Sequence, residues 1–145
     1  MYQTILLAYD GTTYSEHVLQ RGAELARLCQ ARLHLLSIVV TTGNMAIAEA
    51  VGATDVWGIE QKSLEKIVDE ALQNLQAQGL QVSACVRSGE PDSEIVRYAR
   101  EIQADLVILG HTSKGMLSRW LQGSLCAKLL DQLPCNLLVV AGDAP

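Results

Sequence analysis

Apolar residues gather in five short runs, separated by segments in which they recur every three or four positions. The first run, Ile5-Leu6-Leu7-Ala8-Tyr9, is continuous and stops at Asp10-Gly11, the pattern of a strand buried on both faces and followed by a turn. Similar runs stand at Leu33 to Val40, Leu106 to Leu109 and Leu137 to Val140, and a looser alternation at Val82 to Val86 supplies a fifth strand. Between the runs the period becomes that of an amphipathic helix. Val18, Gly22, Leu25, Ala26 and Cys29 share one face of a first helix, for which Thr13 and Glu16 are spaced as a capping box. Leu64, Ile67, Val68, Ala71, Leu72 and Leu75 mark a second, running from about Gly58 to Gln78, with Gly79 placed to stop it. Pro91 suits the first turn of a third, whose buried face is Ile95, Ala99 and Ile102. A fourth is expected from about Gly123 to Leu133, ahead of Pro134.

Strands alternating with helices imply right-handed crossovers and an α/β fold: one doubly wound, five-stranded parallel sheet flanked by helices. Ligands of such sheets bind beyond the carboxyl ends of the strands, where the winding reverses. The residues that matter are then Asp10-Gly11 after the first strand, Ile38 to Thr42 at the end of the second, and Gly110 onward after the fourth. Thr41 to Val56, rich in Gly, Ala and Thr, reads as a mobile loop or lid beside that place.

Composition narrows the class. A chain of 145 residues, 49 % apolar, is long enough to bury one core, so a single domain over 1-145 is expected. The net charge of −5, with scattered basic residues, argues against nucleic acid or an acidic membrane surface as a partner. Met1 to Thr4 lacks the basic start of a signal peptide, and no apolar run approaches the ~20 residues of a membrane span, so a cytoplasmic protein is expected. Cys29, Cys85, Cys126 and Cys135 have no C-x-x-C spacing and read as reduced packing residues. His17, His34 and His111 are too dispersed to suggest a metal cluster.

The chemistry concentrates after the fourth strand. Gly110-His111-Thr112-Ser113-Lys114-Gly115 leaves a buried run, and Gly123-Ser124 opens the fourth helix. Glycines admit close backbone approach, and a helix amino terminus offers unpaired N–H groups and the positive end of its dipole, so an anion site is one reading. The other is structural, with Gly110 ending a strand and Gly123 packing closely. A P-loop lacks its Lys-Ser/Thr, the first turn lacks G-x-G-x-x-G, and Ser113 is in no G-x-S-x-G elbow. Hydrolase chemistry therefore has no nucleophile motif.

Ile5-Leu6-Leu7-Ala8-Tyr9-Asp10-Gly11-Thr12, Leu33 to Val39, Gly89-Glu90-Pro91, Asp105 to Gly110 and Pro134 to Val140 together resemble the universal stress protein family over essentially the whole chain. The resemblance implies the sheet order 3-2-1-4-5. Family members that bind ATP carry G-x-x-G, nine residues, then G-S or G-T. Gly110, Ser113, the nine residues from Lys114 to Gln122, and Gly123-Ser124 follow that frame, with Ser113 in place of one glycine.

Carried over by position, the resemblance implies ATP or AMP with adenine near Ala8, Asp10 and Ile38, Leu109 lining the pocket, and phosphates against Gly110, Ser113, Gly123, Ser124 and Leu125. Apolar Ala8, Ile38 and Leu109 suit a base, and hydroxyls suit phosphates. Asp10 faces adenine, ribose or a bridging Mg²⁺ in that reading, or caps the first helix in the structural one. Lys114 is within reach of phosphates; Arg119 reads as surface charge, and His111 as an exposed loop residue.

The leading function is a regulatory or sensing domain that passes a nucleotide-dependent change to an unknown protein partner. A weak ATPase or nucleotidyl-transfer enzyme is a second reading, for which no general base stands out, and a ligand-free dimeric stress scaffold is a third. The apolar fifth strand, Asn136 to Val140, would be an exposed edge unless covered, and the resemblance also implies a homodimer paired through it.

Overall fold

A computed structural model describes residues 1–40, 56–111 and 124–141. Its strands are β1 (Thr4–Ala8), β2 (Arg32–Val40), β3 (Val82–Gly89), β4 (Leu106–His111) and β5 (Asn136–Ala141). Its helices are α1 (Thr13–Cys29), α2 (Val56–Ala77), α3 (Pro91–Glu101) and α4 (Ser124–Gln132). All strand pairs are parallel and the order is β3-β2-β1-β4-β5, the expected doubly wound α/β sheet.

Side-chain alternation splits the core into two layers. Ile5, Leu7, Leu33, Leu35 and Ile108 face α1 and α2, where they meet Val18, Ala23, Val68 and Leu75. Leu6, Ala8, Leu36, Ile38, Val107 and Leu109 face α3 and α4, packing on Ile95, Ala99 and Leu129. Both faces of the central strands are covered, which is why their sequences are continuous apolar runs. The amino end of β1 is fastened by Asp105, whose carboxylate accepts from Gln3 N at 2.8 Å and Thr4 N at 3.1 Å.

The helix ends follow their sequence signals with one correction. Gly79 adopts φ +86 two residues beyond the end of α2, and Pro91 opens α3, as expected. The cap of α1, however, is Thr12, not Thr13: the Thr12 hydroxyl accepts from Ser15 N at 3.2 Å. Glu16 then falls one position past the place a capping box requires, and its carboxylate accepts from the buried Tyr9 hydroxyl instead. β3 also runs three residues beyond the predicted Val86, because Arg87, Ser88 and Gly89 pair with Ile38, Val39 and Val40.

Candidate functional site

The carboxyl end of β1 is held in place by backbone and side-chain bonds to β2. Tyr9 N donates to Leu36 O at 2.9 Å, and the fully buried Ser37 hydroxyl donates to Tyr9 O. The chain then turns at Gly11, which has φ +80. Of the predicted base-contacting residues, Ala8, Ile38 and Leu109 are 1, 4 and 1 % exposed and belong to one cluster on the α3/α4 face. They come from β1, β2 and β4, the three central strands, and therefore form one apolar floor at the point where the winding reverses.

Asp10 lies just beyond that floor. Its Oδ1 accepts from Thr12 N at 3.0 Å and from Thr12 Oγ1 at 2.8 Å. This is an Asx turn that orients Thr12, and it corrects the structural reading of Asp10: Asp10 is a turn residue as expected, but the cap of α1 is the Thr12 hydroxyl and not the Asp10 carboxylate.

Gly110 is the fifth residue of β4 and is buried. A Cβ added there would stand 2.5 Å from Val18 Cγ2 and 3.0 Å from Tyr14 Cε1. The packing of α1 alone thus demands glycine at the first position of the nucleotide-motif frame. Tyr14 lies over the same strand end: its hydroxyl is 2.7 Å from both His111 O and Val140 O, and it accepts from His111 N at 3.1 Å. His111 ends β4 and is exposed.

Ser124 and Leu125 are the first two residues of α4, so their backbone N–H groups belong to the amino-terminal set that finds no partner within the helix itself. Ser113, Gly123, Lys114, Arg119 and the loop predicted at Thr41 to Val56, up to Asp55, lie outside the described residues. The structure thus gathers Ala8, Ile38, Leu109 and Gly110 at one end of the sheet, with Asp10 following β1.

A second polar assembly, invisible in the sequence, covers the α3 side of the β3 edge. The Arg87 guanidinium donates to Glu101 in a two-pronged pair, lies 3.7 Å from Glu94 and stacks 4.7 Å over the Tyr98 ring. The Glu101 hydrogen bonds raise the Arg87 pKa above its already high ordinary value, and the same pair lowers that of Glu101. Beside them Ser83 Oγ lies 2.9 Å from His34 Nδ1, and burial followed by the charge of Arg32 pushes the imidazole below its ordinary value. On the opposite face, burial and the bond to Glu16 push the Tyr9 phenol well above its ordinary range. Among the described residues no group of three His, Cys, Asp or Glu is placed to hold a metal ion, and no helix is long and apolar enough to cross a membrane.

These features define a doubly wound α/β domain in which Ala8, Ile38 and Leu109 gather at the carboxyl ends of the three central strands. The profile of the Universal stress protein family matches residues 1–141, and the chain belongs to that family. It is 28 % identical over 147 residues to Universal stress protein YxiE of Bacillus subtilis, covering 97 % of this chain and 99 % of that protein. It is 27 % identical over 140 residues to Universal stress protein Sll1654 of Synechocystis sp., covering 97 % and 86 %.

The fold is shared with the solved structure of hypothetical protein MJ0577, at TM-score 0.79 and 21 % identity over 100 % of this chain and 99 % of that one. A universal stress protein solved in complex with cAMP superposes at TM-score 0.64, with 22 % identity and 96 % of each chain covered. One from Archaeoglobus fulgidus in complex with dAMP superposes at 0.65, with 21 % identity over 96 % and 98 %.

Proposed function

We propose that this chain is one regulatory or sensing domain that binds ATP or AMP in a stress response, in the cytoplasm, as a homodimer. The observation that carries the reading is the convergence of Ala8, Ile38 and Leu109 into one buried apolar floor at the carboxyl ends of β1, β2 and β4. An adenine ring needs such a floor, and it stands at the place where doubly wound sheets take ligands. The amino terminus of α4 begins at Ser124 and supplies the donors a phosphate needs. Relatives of the same fold bound to cAMP and dAMP support an adenine nucleotide as the ligand class.

In this reading Gly110, Ser113, Gly123, Ser124 and Leu125 meet the phosphates, and Asp10 meets adenine or ribose. Magnesium accompanying the nucleotide would be bridged through the phosphates, with Asp10 as an alternative contact to adenine, ribose or that bridging ion. β5 is an edge strand whose Leu138 and Val139 are 42 and 43 % exposed, and pairing with its copy would close its backbone edge and set a neighbour beside these side chains.

Calorimetric titration with ATP, AMP and GTP tests the assignment. Dissociation constants in the micromolar range for ATP or AMP, with GTP clearly weaker, are expected. Equal affinities for adenine and guanine nucleotides would remove the base assignment, and no binding to any of them would remove the function.

A further inference from the structure

Tyr14, the second residue of α1, packs its half-buried ring against the α1/α2 core layer and stands outside the proposed base floor, and its hydroxyl meets three backbone groups at that end of the sheet. Its oxygen accepts the His111 N–H at 3.1 Å and lies 2.7 Å from both His111 O and Val140 O. A phenol carries one proton, so at any instant one carbonyl receives it while the other shares the same oxygen's surroundings. The two carbonyls belong to neighbouring strands, at paired positions Gly110↔Val140 and His111↔Ala141 where the β4–β5 ladder ends. The ring also supplies the Cε1 atom against which Gly110 packs.

We propose that Tyr14 is a positioning residue for the nucleotide: its hydroxyl fixes the backbone of Gly110 and His111 in the orientation from which phosphate is met. This rests on the adenine-nucleotide reading. The strap acts from a helix on the opposite face of the sheet from the base floor, so it touches no part of the base.

Tyr14→Phe keeps the ring and removes only the hydroxyl. A control exists at the other end of the sheet, where Asn136 Nδ2 donates to the Tyr2 hydroxyl at 3.1 Å; Tyr2→Phe also removes only a phenol hydroxyl, here from one side-chain bond to β5 far from the strand carboxyl ends. We expect Tyr14→Phe to weaken ATP binding roughly three- to tenfold, the range of one or two net hydrogen bonds, and to speed amide exchange at His111. Tyr2→Phe should do neither. ATP binding unchanged in Tyr14→Phe, or weakened equally by both variants, overturns the positioning role while leaving the nucleotide reading intact. Wild-type protein that binds no nucleotide overturns both, and faster His111 exchange would then mark a structural strap alone.

Discussion

Placing a methyl group on Gly110 tests why the first glycine of the motif frame is a glycine. The added Cβ would lie 2.5 Å from Val18 Cγ2, far inside van der Waals contact, and 3.0 Å from Tyr14 Cε1. Overpacking of this kind costs about 1–3 kcal/mol, and it must also outweigh the ~0.5–1 kcal/mol that alanine gains over glycine in strand entropy. Val18→Ala alone deletes two buried methyl groups, worth about 1.6 kcal/mol by transfer before any cavity term. In the double variant the clash and the void meet: the nearest remaining Val18 atom is Cβ, at 3.6 Å from the new methyl. The double variant should therefore lose at least ~1 kcal/mol less than the sum of the two single losses. Recovery stays partial, because Tyr14 Cε1 does not move away. Urea unfolding of the four proteins, with unchanged m-values, measures the cycle. Additive losses, or a Gly110→Ala variant as stable as wild type, would show that α1 does not dictate this glycine and would return it to the phosphate alone.

Other outcomes follow from single contacts. Thr12→Ala should cost about 1 kcal/mol in urea unfolding through loss of the α1 cap, and Thr13→Ala only a few tenths; the reverse order would place the cap at Thr13. His34 is held below its ordinary value by burial and by Arg32, so as the pH falls the unfolded chain takes up its proton first. Its contribution to stability is full above the unfolded value of about 6.5 and is lost as the pH drops below it; His34→Gln should flatten the urea midpoint between about pH 5 and 7, and an unaltered slope would refute the assignment. Gly123→Val should abolish ATP binding in calorimetry with the far-ultraviolet spectrum retained; unchanged binding would move the site elsewhere. Ser113→Gly should change ATP affinity by less than about tenfold in either direction, because a hydroxyl bond to phosphate and glycine's backbone freedom are of similar worth. A gain of a hundredfold or more would mark a disabled binder.

The fold was legible because β1, β2 and β4 are covered on both faces, and burial there leaves no choice but continuous apolar runs. β3 was read short for the opposite reason. As an edge strand it carries Arg87, whose charge is met by Glu101, Glu94 and the Tyr98 ring from α3, partners more than six residues away in sequence. The Thr12 cap was missed by one position, since Thr12 and Thr13 are chemically alike and only the Asx turn made by Asp10 selects between them. The gathering of Ala8, Ile38 and Leu109 was foreseeable, as each sits at a strand's carboxyl end. That Gly110 answers to Val18 and Tyr14, and that Tyr14 straps two strands across 97 and 126 residues of sequence, could not be read from spacing.

In the proposed site adenine lies on the floor made by Ala8, Ile38 and Leu109, with phosphate at the Gly110 end of β4 and the start of α4. Titrating ATP into ¹⁵N-labelled protein and following the backbone amides addresses this placement at residue level. Saturable shifts are expected at Ala8 to Asp10, Ile38, Leu109 to His111 and Ser124 to Leu125, with the amino ends of the strands, Thr4, Leu33 and Asn136, unmoved. Shifts gathered instead at those amino ends or along the β3 edge, or no shifts at all at millimolar ATP, would contradict it.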